Sequence, residues 1–430
     1  MLFKEIGIID ENYDYRENMY VGVEKGKIDY IGTKRPPHDY GEEYDGKGRL
    51  LMPGFFNAHA HSPMALMRGY GENLKLQDWL FKRVFPFEAK LDGNAVYWGT
   101  LLCMAESLRF GIVSTSDMYY FMTDMGKAVL DSGCKANISR AIVSIDGSED
   151  FDHYPSVEEL KVAAKVFNGA DNGRIKIDAS LHAEYTSSET IARKLADLTK
   201  ELGLNMQVHV AETKQETLEC KMRHEGRSPV QYLADSGILD PLTTAAHCVW
   251  LDDDDYAILR DKKVTVATNP CSNLKLASGI CDVARLLKEN VSVAIGTDSV
   301  CSNNSLNFLE EIKAMALTSK VRADDPTVIT PQQALYAATR AGALAQGRMD
   351  SGLLKQGYKA DLSVMRTDVP NMHPVHKMLN NIVYSAAGSD IVMTMVDGKV
   401  LYRDGEYLTI DIEQAIEQTE KATEEILGRL

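Results

Sequence analysis

Eight short apolar runs rich in β-branched residues, spaced through the middle of the chain, constrain its fold more than any other feature. They are FFNAHAH (55–61), GIVSTSDM (111–118), ANISRAIV (136–143), IKIDASLHA (175–183), NMQVHVAE (205–212), TTAAHCV (243–249), VTVATNP (264–270) and VSVAIGTD (291–298). Helical patterns such as VEELKVAAKVF (157–167) and SETIARKLADLTKELG (188–203) separate most of them. Strands of a parallel sheet are covered on both faces and read as continuous apolar runs, and a strand-then-helix unit repeated eight times is the pattern of a closed (β/α)8 barrel. The sequence therefore predicts an α/β chain whose TIM-like barrel spans 54–352. A doubly wound open sheet is the alternative.

The flanks read differently. Residues 1–53 and 353–410 alternate in short strands with glycine turns, Gly26 in the first flank and Gly398 and Gly405 in the second. Their like texture predicts one small β-sandwich domain built from both termini. In the final stretch, 411–430, Ile412, Ile416, Thr419 and Ile426 recur near helical spacing, which predicts a helix packed on the outside.

A chain of 430 residues is long for one ordinary core but suits a barrel of about 250 residues with a smaller companion. A formal net charge of −15 argues against nucleic acid, whose binding depends on neutralised phosphates. No apolar run approaches the roughly 20 residues that span a bilayer. Seven cysteines, odd in number and without a CxxC pair, read as reduced core thiols, and the N-terminus MLFKEIGIIDENYDY lacks a secretory pattern, so a cytoplasmic location is expected.

Barrel enzymes build their sites at the C-terminal ends of the strands. Five of the ten histidines, His59, His61, His182, His209 and His247, fall at or near the ends of the first, fourth, fifth and sixth runs, and Asp298 ends the eighth. His59 and His61 share one face of their strand, because successive side chains alternate. In HVAE, His209 ends an apolar run and Glu212 follows close enough to reach the same cavity, as a ligand and a proton shuttle would. Imidazole nitrogens with a carboxylate oxygen suit Zn2+, and iron is also compatible. His38, His153, His224, His373 and His376 fall elsewhere and are expected on loops or surfaces.

PGFFNAHAH, HVAE, AAHC, NPCSNLKLASGI and AIGTDSVCSNNSLN, in that order, with GYKADLSV and MVDGKVLY beyond them, resemble the amidohydrolase superfamily and within it the branch containing methylthioadenosine/S-adenosylhomocysteine deaminases. The likeness runs over nearly the whole chain. It implies one divalent metal, Zn2+ or Fe2+, held by His59, His61, His209 and Asp298, activating a water that attacks the amine-bearing carbon of a purine-like ring. Glu212 would protonate the ring nitrogen, His247 would orient the nucleophile, and Asp298 would take its proton and pass it to departing ammonia. Binuclear relatives carry a carboxylated lysine at the end of the fourth strand; here that end reads SLHAEY, and Lys176 lies at the other end.

The same resemblance implies a nucleoside substrate and an inosine-type product. Glu88, in the PFE of the insertion 62–91 that is the expected lid, would accept the ribose hydroxyls. His182 would donate to the purine, Arg140 would line the pocket, Ser302 would contact the base, and Trp79 would pack over the 5′ substituent. The branch is commonly oligomeric. Deamination of a free purine or pteridine base, a triazine-type hydrolysis, and a non-catalytic metal-binding scaffold are the alternatives; the last conflicts with the presence of Glu212, His247 and Asp298. Two departures stand out. Glu184 replaces a proline beside His182, either favouring an amine-bearing substrate or facing water, and Cys271 stands in NPCSN where a small or aliphatic residue is usual.

Overall fold

The computed structural model describes residues 1–74, 76–144 and 149–430; Lys75 of the expected lid lies outside them. Eight parallel strands pair in chain order: Phe55–Ala60, Ile112–Met118, Lys135–Ser139, Ile175–Leu181, Asn205–Val210, Thr243–His247, Thr265–Thr268 and Ser292–Ile295. A parallel bridge between Ala60 and Asp298 joins the first strand to the segment that leaves the eighth. That seam closes the sheet, so the architecture is the barrel and not the open sheet. The third strand is interrupted at Arg140 and resumes at Ala141–Ile142 alongside Ser180 and Leu181.

Every residue of the first, second, third, sixth and seventh strands is buried, which accounts for their unbroken apolar reading. Helices pack tightly enough to need small residues at the contact. A Cβ on Gly342 would lie 2.3 Å from the Phe56 carbonyl oxygen, so only glycine lets the helical turn Gly342–Ala345 approach the first strand.

A second, nine-stranded sheet draws on both ends of the chain, and its two halves join where Arg49–Pro53 pairs antiparallel with Leu362–Arg366. Lys25–Gly26, Asp397–Gly398 and Asp404–Gly405 all have positive φ, the two-residue hairpin geometry that matches strand twist. Phe3, Ile6, Val21, Leu51, Val364 and Met393 form its own core. Lys135, on the third barrel strand, reaches Asp361 at 2.6 Å and Asp397 at 2.8 Å, a buried tie between the two sheets.

The C-terminal segment forms a helix, Ile412–Leu427, against the helix Gly93–Arg109, with the Thr419 hydroxyl donating to the Trp98 carbonyl at 3.2 Å. Its packed stripe is Ala415, Thr419, Ala422 and Ile426. Ile416, expected on that stripe, is 43% exposed, because one residue beyond Ala415 turns the side chain about 100° around the axis.

Candidate active site

The ends of the first, fifth and sixth strands and the turn after the eighth converge on one cluster. His61 Nε2 lies 3.2 Å from Asp298 Oδ1 and 3.4 Å from His209 Nε2, and His59 Nε2 lies 3.6 Å from Asp298 Oδ1. Within it, the ligand atoms of His59, His61 and His209 lie mutually within 4.8 Å, as do those of His59, His247 and Asp298. Two imidazoles are oriented from behind: His61 Nδ1 bonds the Met118 carbonyl at 2.6 Å and His209 Nδ1 the His182 carbonyl at 2.8 Å. Such bonds fix the Nδ1–H tautomer and turn the Nε2 lone pairs inward. His59 Nε2 is buried with no hydrogen-bond partner. An orphaned buried nitrogen aimed at three further ligand atoms fits a metal ion.

The imidazoles divide: against the cost of burying the ring, Asp298 raises His61 to about 9, whereas His59 and His209 go the other way. Burial brings His59 down to about 4 and holds His209 well below its usual range, so both are neutral ligands. Against the cost of its own burial, Asp298 is held well below the ordinary carboxylate range by His59 and His61. Its second oxygen, Oδ2, accepts from Ser272 at 2.6 Å and Ser302 at 2.8 Å. Ser302 thus spends its hydroxyl on Asp298 rather than on the cavity wall, where sequence reasoning placed it against a base. Lys176 lies at the far end of its strand, donating to the Gly347 carbonyl at 2.6 Å.

Three strand ends carry non-glycine residues in the left-handed region: Ala211 (φ 49°), His247 (φ 73°) and Asp298 (φ 57°). Each costs on the order of 1–3 kcal/mol and persists where its surroundings over-determine it. At Ala211 the restraint is visible. The Glu216 carboxylate accepts backbone N–H bonds from Ala211 at 2.9 Å and Glu212 at 2.8 Å, folding the turn that presents Glu212. The Glu212 side chain accepts from the Ser278 hydroxyl at 3.1 Å and lies 3.9 Å from His247 Nε2, while His247 Nδ1 bonds Asn273 Oδ1 at 2.8 Å. Glu216, Ser272, Asn273 and Ser278 escaped sequence reasoning as individual roles, although three of them stand in the stretch NPCSNLKLASGI.

A cavity of about 500 Å3 opens from this cluster, lined by His61, His182, His209, Glu212, His247 and Asp298 among others. Most of its remaining wall is apolar, with Met64, Trp79, Leu80, Val84 and Phe85 contributed by the insertion. Glu88 and Arg140 line it as well. Burial pushes the Glu88 carboxyl up to about 7, a rise that the phenols of Tyr119 and Tyr120 moderate, and the Tyr120 hydroxyl donates to it at 3.4 Å. His182 faces the same space with its Nδ1 3.2 Å from the Thr186 hydroxyl.

Glu184 neither meets a substrate nor faces water. It is buried, paired with Arg223 and 3.0 Å from His224 Nε2. His224 is correspondingly no surface decoration: its ring stacks on Tyr232 at 4.1 Å. Cys271 lies outside the cavity wall, its backbone N–H donating to Glu311 at 3.1 Å.

A closed parallel barrel with this histidine and carboxylate constellation defines a metal-dependent hydrolase of the barrel type. Residues 50–401 match the Amidohydrolase family, and the chain belongs to it. It is 40% identical over 410 residues to the 5′-deoxyadenosine deaminase of Methanosarcina mazei, covering 95% of this chain and 94% of that one. It is 38% identical to the 5-methylthioadenosine/S-adenosylhomocysteine deaminase of Caldanaerobacter subterraneus subsp. tengcongensis, covering 99% and 98%. Among solved structures, an adenosine deaminase from Xanthomonas campestris with bound zinc superposes with a TM-score of 0.91 at 27% identity, covering 99% of this chain and 98% of that one. Among the described residues no helix is long and apolar enough to cross a membrane.

Proposed function

We propose that this enzyme deaminates adenine nucleosides hydrolytically, giving the inosine analogue and ammonia, with one zinc ion held by His59, His61, His209 and Asp298. The observation that carries this reading is Glu88, a half-buried carboxylate in the wall of the histidine-lined cavity with phenols beside it. Two vicinal ribose hydroxyls satisfy such a group, and a site built for those bonds rejects ligands that lack them. The named activities of the Methanosarcina and Caldanaerobacter relatives support the same substrate class.

When bound, the metal supplies Lewis-acid activation of a water molecule. The chain's own groups do the rest. Glu212, held by Ser278 and by the turn that Glu216 folds, carries a proton to the ring nitrogen beside the reacting carbon. His247, fixed through Asn273, orients the attacking oxygen. Asp298, whose Oδ2 is held by Ser272 and Ser302, would take the proton that the attacking water gives up and return it to the leaving amine. His182 donates to the purine, and Trp79 covers the sugar side.

The test compares kcat/KM for 5′-deoxyadenosine and free adenine in wild type and Glu88→Ala. A nucleoside preference that falls ~100-fold or more in the variant, through KM, is expected. A preference for the free base, or one unchanged by the substitution, would remove the ribose clamp.

A further inference from the structure

Arg140 is the one lysine or arginine among the described residues lining the cavity. It stands where the third barrel strand breaks. Its guanidinium lies over the Tyr120 ring, 5.4 Å from the centroid, and forms an ion pair with Glu159. Glu159 is itself fixed on a second side, because its other oxygen accepts the Met122 backbone N–H at 2.5 Å. The pair is shielded, with Arg140 24% and Glu159 18% exposed.

Tyr120 connects this pair to the sugar end of the site, since its hydroxyl reaches Glu88 while its ring underlies Arg140. With the base at the histidines and the ribose at Glu88, the Tyr120 link would set Arg140 beside the sugar end of a nucleoside. Val143 and Pro155 add apolar surface there. The described residues of 141–156 include Glu149, Asp150 and Asp152 and neither lysine nor arginine.

We propose that Glu159 is a specificity-determining residue: by pairing with Arg140 it leaves no lysine or arginine among the described residues of the cavity wall without a carboxylate partner. The enzyme then takes adenine nucleosides with an uncharged 5′ substituent, a methyl or a thioether, ahead of those whose 5′ chain ends in a free carboxylate. This rests on the nucleoside reading above. An entering amino-acid end must displace Glu159 from two donors or leave its carboxylate half-buried with no counter-charge but its own ammonium, and a poorly paired buried charge is costly. A methyl or thioether incurs no such cost and buries apolar surface.

The experiment measures kcat/KM for 5′-deoxyadenosine, methylthioadenosine and S-adenosylhomocysteine with zinc-loaded wild type, Glu159→Gln and Ser156→Arg. Ser156 lines the cavity one turn before Glu159 on the same helix; an arginine there adds a cation that Glu159 does not occupy, without disturbing the Met122 contact. Wild type is expected to favour the two neutral substrates ~10-fold or more, and each variant to raise the S-adenosylhomocysteine to 5′-deoxyadenosine ratio by about as much, a tenfold change being about 1.4 kcal/mol. Equal handling of all three by wild type, or a ratio unmoved in both variants, overturns the proposal. No turnover of any of the three by zinc-loaded wild type overturns the nucleoside reading beneath it.

Discussion

His61 Nε2 and Asp298 Oδ1 lie 3.2 Å apart across the seam that closes the barrel, one just past the end of the first strand and the other on the turn leaving the eighth. Fold closure and ligand assembly are therefore the same event. Asp298→Asn keeps the shape while removing the charge that pairs with two imidazoles. Bound zinc, measured by plasma emission after gel filtration, is expected to fall well below one per chain, with activity down ~100-fold or more. Full zinc occupancy with full activity would show that Asp298 is no part of the centre.

Ser302 tests whether the groups behind Asp298 matter. Its hydroxyl and that of Ser272 both bond Oδ2. Partners of this kind orient a ligand, and their loss typically costs 10–100-fold in metal affinity or activity. Ser302→Ala should reduce kcat ~10-fold with KM little changed. A rise in KM with kcat intact would instead put Ser302 against the substrate.

Gly296 sits against the seam. A Cβ there would lie 2.3 Å from Asn269 Oδ1 and 2.9 Å from both Cβ and O of His59. Gly296→Ala should cost ~1–3 kcal/mol in stability, the usual penalty of overpacking, and weaken zinc binding as His59 shifts. Thermal melts and metal content that match wild type would contradict the packing described.

Glu311 gives a pH signature. Burial pushes its carboxyl up to about 7 although Cys271 and Asn303 donate to it. Between the ordinary glutamate value of about 4.5 and about 7, the folded chain holds a proton that the unfolded chain releases. Stability contributed by that proton is present at low pH and lost as pH rises through this window. Glu311→Gln removes the titration, so its melting temperature should fall less between pH 5 and 8 than that of wild type. Parallel profiles would contradict the burial argument.

The barrel was legible because parallel strands buried on both faces write themselves as continuous β-branched runs, and FFNAHAH and VTVATNP needed no tertiary information. The flanking hairpins were legible at Gly26, Gly398 and Gly405, where two consecutive positive φ angles call for such residues. Ile416 was misplaced because Ala415 and Ala422, too small to stand out in an apolar count, carry the packed face. Glu184 was misjudged because its partners, Arg223 and His224, stand some forty residues away and only the barrel brings them together. The resemblance gives Ser302 to a base because a matched position does not tell which way a hydroxyl points, and here it points to Asp298. Glu159 carried no signal at all, since its significance lies in Arg140 alone.

The central claim is most directly tested by incubating zinc-loaded protein with 5′-deoxyadenosine and quantifying both ammonia and 5′-deoxyinosine by chromatography, with Glu212→Gln beside it. One ammonia per 5′-deoxyinosine in wild type, and a rate lowered ~100-fold or more in the variant with zinc retained, is the predicted result. No 5′-deoxyinosine from fully zinc-loaded protein, or an undiminished rate in Glu212→Gln, would contradict the account.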